Sequence, residues 1–124
     1  MDVLYTMNDG YVPQVAASAL SLIDRNPGKH TFHVFSFGIS EENVEKLRNM
    51  VMEKGCDFWV YSVGDIEQRL GFQVDTLGFH ISVLARLFVG SILPETVEKV
   101  LYLDGDTIVL EPLDELWNLS LIHI

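Results

Sequence analysis

The chain has a single cysteine, Cys56, among its 124 residues. One thiol forms no internal disulfide and completes no cysteine-based zinc site. Cys56 precedes a strand-like run, where a buried thiol packed as a small hydrophobe is the simplest reading. Basic residues are scarce as well: 8 lysines and arginines face 18 acids, for a formal charge of -10. That deficit argues against nucleic acid as a partner, because nucleic acid is bound by neutralising phosphates with cationic side chains. An anionic ligand would need positive charge from elsewhere, and a divalent metal is the usual source. Long hydrophobic runs are missing too. The most apolar stretch, 81–93, is interrupted by Arg86 and Gly90 and falls short of the ~20 residues that span a bilayer. The start, Met1-Asp2-Val3-Leu4-Tyr5, lacks the basic segment, apolar core and small-residue cleavage site of a secretion signal. The expected location is therefore the cytoplasm, extending to its membrane surface in a full-length protein. No glycine-rich phosphate loop of the Rossmann or Walker type is present. His30, His33, His80 and His123 show no paired ligand spacing, and Ser18, Ser21 and Ser36 lack a nucleophile-elbow context.

What is present reads as one ordinary globular domain, 48% apolar and 21% charged. A chain of this length buries roughly two thirds of its unfolded surface and needs no cross-links. Val3 to Met7 is a β-branched and aromatic run ending in Asn8-Asp9-Gly10, the pattern of a buried strand entering a loop. Pro13 then falls in a first helical turn, and Val12, Val15, Ala16, Ala19, Leu20 and Ile23 recur at spacings of three and four. Asn26-Pro27-Gly28 closes that helix. Thr31 to Phe37 is a second strand, apolar on both faces except at His33, as in a sheet covered on both sides. Ser40 is a credible N-cap, followed by Glu41 and Glu42 in the first turn of a second helix that stops at Lys54-Gly55. A third strand spans Asp57 to Val63. A short helix and loop follow over 65–78, a helix over 79–93 ends before Pro94, and a fourth strand covers Val100 to Leu103. The chain then continues extended from Thr107 to Leu110. Strand and helix alternating in this way predict an α/β fold: an open, mostly parallel sheet with helices on both faces. In such sheets ligands collect beyond the carboxyl ends of the strands, and both Asn8-Asp9 and Asp104-Gly105-Asp106 lie there.

The sharpest chemical feature is Val100-Leu101-Tyr102-Leu103-Asp104-Gly105-Asp106-Thr107. Glycine frees the backbone between the acids, so both carboxylates can turn towards one point. About 4 Å apart, they would repel by roughly 4 kcal/mol at an effective dielectric of 20. A hard divalent cation reverses the sign, and carboxylate oxygens select Mg²⁺ or Mn²⁺, ions that bridge to substrate phosphates. The competing reading is a solvated acidic turn with Gly105 in a left-handed conformation. Asn8-Asp9 is likewise either a turn or the lip of a ligand crevice. Tyr11 either stacks on a planar base or packs under the first helix. Arg86, in an otherwise apolar helix, either snorkels to solvent or meets the acidic turn, a phosphate or a sugar hydroxyl.

Taken together, Leu4-Tyr5-Thr6-Met7-Asn8-Asp9 with Tyr11, Phe35-Ser36-Phe37-Gly38-Ile39-Ser40, Ile81 to Leu87, Val100 to Asp106, and Leu113 with Leu116-Trp117 resemble family 8 of the glycosyltransferases. That family includes bacterial lipopolysaccharide galactosyl- and glucosyltransferases and glycogenin. The resemblance implies the nucleotide-sugar-binding half of a GT-A fold over 1–119. It implies a metal-dependent retaining transfer of a hexose from a nucleotide-sugar donor, a UDP-sugar by type, to a glycan or lipid-linked acceptor. By position it makes Asp104 and Asp106 ligands of Mn²⁺ or Mg²⁺, with Asp104 also near the ribose. Thr6, Asn8, Asp9 and Tyr11 become the nucleoside pocket, Arg86 a contact to the donor sugar or diphosphate, and His80 a position facing the acceptor. Gly10 departs from members that carry a side-chain amide there, a departure that bears on one base contact.

Family members run to roughly twice this length, in line with the usual bound on a domain, and their second half supplies a further metal ligand and the acceptor site. Residues 120–124, Ser-Leu-Ile-His-Ile, do not resemble the family's continuation and are expected to be a truncation or frame-shift tail, with little turnover from the chain alone. Two alternatives stand beside this one. Leu103-Asp104-Gly105-Asp106-Thr107 loosely resembles the opening motif of haloacid-dehalogenase-like phosphohydrolases, which place a nucleophile at the first Asp and a general acid at the second. That family needs a downstream lysine, and none of the eighteen residues after Asp106 is one. The other alternative is a non-catalytic nucleotide-binding module.

Overall fold

The computed structural model describes residues 1–62, 93–94, 96–97 and 99–118. The short helix and loop expected over 65–78 and all but the last residue of the helix expected over 79–93, together with Arg86, His80 and the tail from 120, lie outside the described residues.

Strand β1 (Asp2–Asn8) leads through a single 3₁₀ turn (Asp9–Tyr11) into helix α1 (Val12–Arg25). Strand β2 (Thr31–Phe37), helix α2 (Glu41–Glu53) and strand β3 (Asp57–Ser62) follow. Short strand β4 (Leu101–Tyr102) and a one-turn helix, α3 (Asp114–Trp117), complete the described elements. The local signals act as anticipated. Pro sits in the first turn of α1. The Ser40 hydroxyl accepts the Asn43 N–H at 3.3 Å, and Gly55 takes φ +81° just beyond α2, a conformation that costs glycine little.

The four strands form one parallel sheet in the order β3-β2-β1-β4. The chain therefore moves outward from β1 through β2 to β3, then returns to the opposite side of β1 for β4. β1 and β4 flank the point where strand order reverses, the place where open α/β sheets bind ligands.

Pleating sends Val3, Tyr5 and Met7 to one face, with Phe32, Val34 and Phe58, and this face is covered by α1 (Val12, Val15, Ala19, Leu22) and α2 (Leu47, Val51). Cys56 is buried in the same cluster as a free thiol. The opposite face carries Leu4 and Phe35 under Leu93, Val97 and Val100. Both faces are thus buried at β1 and β2, as the apolar strands require, while Trp59 of β3 stays exposed on the second face; both helices of more than one turn among the described residues lie on the first. Leu20, expected in the apolar stripe of α1, is exposed. The buried residues run 12, 15, 18, 19 and 22, and position 20 lies about 100° round the helix from position 19.

The stretch after β4 is held by side chains rather than by a neighbouring strand. Residues 107–110 join no strand ladder. The segment is tied to α1 and its C-cap: the Val109 N–H donates to Ser21 Oγ at 2.8 Å, and further on the Leu113 N–H donates to Asn26 Oδ1 at 2.7 Å. Ile108 and Leu110 remain exposed while Val109 is buried. The two buried histidines are structural. His30 Nε2 donates to the Asn26 carbonyl at 2.7 Å, and its Nδ1 accepts from the terminal amine at 3.1 Å. His33 Nε2 donates to the Asp2 carboxylate at 2.9 Å, and its Nδ1 accepts the Tyr61 hydroxyl at 3.0 Å.

Candidate functional site

The site is built where β1 and β4 end side by side. The Leu103 N–H donates to the Leu4 carbonyl at 3.0 Å, carrying the β1–β4 pairing one residue past β4. The Asp104-Gly105-Asp106 turn therefore emerges at the same end of the sheet as Asn8. It closes on itself through the Thr107 N–H and the Thr107 hydroxyl, both donating to the Asp104 carbonyl at 3.2 and 2.7 Å. Both aspartates are exposed.

Gly105 has a different reason to be glycine from the one the sequence suggests. The glycines at positive φ are Gly28, Gly38 and Gly55, so among the described residues the left-handed acidic turn is not what forms. A Cβ at Gly105 would instead stand 2.9 Å from Val15 Cγ2 and 4.0 Å from Tyr11 Cδ1. The first separation is below any normal carbon contact, and a β-branched valine has little χ1 freedom to retreat. The absent side chain lets the acidic turn sit directly on the first turn of α1.

Tyr11 is 48% exposed, which excludes its packing under α1 and leaves its ring open beside Gly105. Asn8 Oδ1 accepts the Gly10 N–H at 3.0 Å and so caps the 3₁₀ turn. Thr6, on the same pleat face as Leu4, has a buried Oγ1 with no hydrogen-bond partner among the described residues. A buried hydroxyl without a partner costs stability in the free protein, and here it lies one pleat before the end of β1. Asp9 is engaged elsewhere: its Oδ1 accepts the Ser40 N–H at 3.0 Å and the Asn43 Nδ2–H at 2.9 Å. The Ser40 N–H and then the Asn43 amide hold its carboxyl below the ordinary aspartate value of 3.8. One Asp9 oxygen thus ties the end of β1 to the start of α2.

The donor chemistry of the acidic turn suits a hard cation. Two exposed carboxylates one residue apart are oxygen ligands of the kind Mg²⁺ and Mn²⁺ take, with water and phosphate filling further positions. Among the described residues, no group of three or more His, Cys, Asp or Glu side chains comes together. Asp104 and Asp106 would supply two protein ligands.

Residues 2–123 match Glycosyl transferase family 8. The chain belongs to that family. Its fold is of the GT-A type, as in the crystal structure of the galactosyltransferase LgtC in complex with donor and acceptor sugar analogues: 29% identity, TM-score 0.74, covering 97% of this chain and 43% of that one. The bifunctional glycosyltransferase WbbM shares the fold at TM-score 0.77 and 24% identity, over 98% of this chain and 21% of that one. A putative glycosyltransferase of Haemophilus influenzae is 26% identical over 99% of this family 8 chain and 37% of its own length. The chain thus spans less than half the length of these relatives.

The family match carries Asp104–Thr107 within a glycosyltransferase and leaves the phosphohydrolase alternative without support. Of the site residues named from sequence, Tyr11 and the acidic turn are brought together by contact with one glycine, and Asn8 and Thr6 end the neighbouring strand. Arg86 and His80 lie outside the described residues. Sequence reasoning missed Ser18 and Thr107. Their only sequence trace is a serine on the otherwise apolar face of α1 and a hydroxyl directly after the second aspartate.

Proposed function

We propose that this chain is the nucleotide-sugar-binding part of a metal-dependent retaining hexosyltransferase, taking its hexose from a UDP-sugar and passing it to a glycan or lipopolysaccharide acceptor. The observation that carries this reading is the meeting of β1 and the acidic turn at the strand-order reversal, with Gly105 seated against Tyr11 and Val15. In a chain of net charge -10, Mn²⁺ or Mg²⁺ on Asp104 and Asp106 supplies the positive charge that a diphosphate needs.

The chain's own residues do the rest of the binding. The open Tyr11 ring offers a stacking face to a base, a contact worth about 1–3 kcal/mol. Thr6, whose buried Oγ1 has no hydrogen-bond partner among the described residues, stands one pleat behind Asn8 on the nucleoside side. Asn8, its Oδ1 already held by Gly10, presents its amide N–H₂ as a donor. Asp9 keeps one oxygen for the ligand while the other fixes the loop. Asp104 lies on the side of the ribose. Arg86 as a contact to donor sugar or diphosphate, and His80 as an acceptor contact, rest on the resemblance alone. The location that goes with this role is the cytoplasm, peripheral to a membrane that presents the lipid-linked acceptor. Among the described residues, no helix is long and apolar enough to cross that membrane.

Calorimetric titration of UDP into the wild-type chain and Asp106→Ala, each with and without Mn²⁺, tests the reading. UDP binding that depends on Mn²⁺ and is lost in Asp106→Ala supports it. Equal binding without the metal counts against it.

A further inference from the structure

Three hydroxyls connect the sheet core to the acidic turn. Tyr5 Oη lies 2.8 Å from Ser18 Oγ, Ser18 Oγ lies 3.3 Å from Thr107 Oγ1, and Thr107 Oγ1 donates to the Asp104 carbonyl at 2.7 Å. Tyr5 and Ser18 are fully buried. Proton counting sets the direction of the whole chain. A carbonyl only accepts, so the one Thr107 hydroxyl proton goes to Asp104. Thr107 then accepts from Ser18, and Ser18 accepts from Tyr5. All three protons point at the acidic turn, the arrangement in which each bond polarises the next.

We propose that Ser18 and Thr107 are positioning residues for the metal-binding turn, fixing the Asp104–Asp106 backbone through this directed relay so that the two carboxylates are held ready for a divalent cation. The proposal rests on the reading of Asp104 and Asp106 as metal ligands, and goes beyond it by naming what holds them. The ladder ends at Leu103, and two of the bonds at Asp104 come from Thr107 itself. Among the described residues, the hydrogen-bond anchor of this turn outside itself is therefore Ser18, in the middle of α1, backed by a phenol from β1. Burial raises the Tyr5 phenol to about 12, so Tyr5 remains a donor throughout the neutral range and the direction of the relay does not change with pH there. Ser21, one turn later on α1, accepts the Val109 N–H at 2.8 Å, so Thr107 and Val109, which follow the turn, are fastened to one helix face.

The test measures Mn²⁺ affinity, by the electron paramagnetic resonance of free Mn²⁺, together with thermal melting of the 124-residue chain. The proteins are wild type, Thr107→Val, Thr107→Ser, the double variant Tyr5→Phe with Ser18→Ala, and an Asp104→Asn, Asp106→Asn control. The double variant removes both partners of the buried bond and leaves no orphaned phenol, so its melting should stay near wild type. Outer-shell partners of metal ligands commonly set affinity by 10- to 100-fold. Thr107→Val is expected to weaken Mn²⁺ binding about 10-fold and the double variant to weaken it in the same direction. Thr107→Ser, which keeps the hydroxyl, should restore it. Wild-type Mn²⁺ affinity in Thr107→Val and in the double variant would overturn the relay while leaving the metal site standing. No difference between wild type and the Asp104→Asn, Asp106→Asn control would overturn the metal reading itself, and the relay with it.

Discussion

The β1–β2–β3 part of the sheet and the stretch from Leu101 to Asn118 pack against the same helix, α1, by different means. In the first, strands of six or seven residues pair in continuous parallel register, and Val3, Tyr5, Phe32 and Val34 interleave with α1 and α2. In the second, the strand is two residues long and the chain is caught at intervals by polar side chains of α1 and its C-cap: Ser18 at Thr107, Ser21 at Val109, Asn26 at Leu113. Apolar burial fastens the sheet to α1, whereas the acidic turn is fastened by single hydrogen bonds added to the packing of Leu103, Val109 and Leu113 on the same core. The lesson is that stability and site geometry are separable here, because deleting a hydroxyl removes an anchor without opening a cavity in the core.

The largest effect that breaks the comparison on the sheet side is Phe32→Ala. Phe32 is 1% exposed and stacks on Tyr5 with ring centroids 6.3 Å apart, so its truncation should cost about 3–5 kcal/mol in urea unfolding. On the turn side, Gly105→Ala forces a methyl against Val15 and should destabilise by about 1–3 kcal/mol. It should also weaken Mn²⁺-dependent UDP binding, and adding Val15→Ala should recover part of both losses. A wild-type melting curve for Gly105→Ala alone would show that the turn does not rest on α1. Ser18→Ala on its own orphans the buried Tyr5 hydroxyl and should cost about 1–3 kcal/mol, most of it recovered by adding Tyr5→Phe.

The smallest effect is the pH response at Asp9. Its carboxyl titrates below the ordinary value because the Ser40 N–H and the Asn43 amide bind the ionised form. A depressed folded-state value stabilises the folded chain above the unfolded value. The contribution fades as pH falls through the aspartate range and is gone below the folded-state value. Amide shifts of Ser40 and Asn43 should follow one titration whose midpoint lies below 3.8, and Asp9→Asn should abolish it. A midpoint at or above that value would mean the tie between β1 and α2 is not formed in solution.

The difference between the two regions also sets what was legible in the sequence. β2 has the expected limits, and β1, α1, α2 and β3 lie within two residues of theirs. Their signals are local: a two-residue alternation, a 3.6-residue stripe, Ser40 as a cap and Gly55 as a stop. The position of β1 inside the sheet beside the acidic turn follows from the same parallel α/β logic. Residues 107–110 read as extended because their β-branched and apolar side chains look like a strand. What satisfies their backbone is a serine 88 residues away, and no periodicity encodes such a bond. Gly105 shows the same limit, since whether a glycine serves conformation or close approach depends on a partner, Val15, that only the fold supplies. The resemblance places Asp9 with the pocket residues and is silent on what holds it. Its hydrogen bonds to Ser40 and Asn43, across 31 and 34 residues, become visible only once α2 is docked.

The central claim, that the ends of β1 and β4 form one metal-assisted nucleotide site, is tested most directly by paramagnetic broadening of amide resonances when Mn²⁺ and UDP are added together. The account predicts broadening centred on Asn8 to Tyr11 and Asp104 to Thr107, with the amides of Met52 to Cys56 at the far end of α2 unaffected. Broadening that left Asn8 to Tyr11 sharp, or that centred elsewhere on the chain, would contradict it.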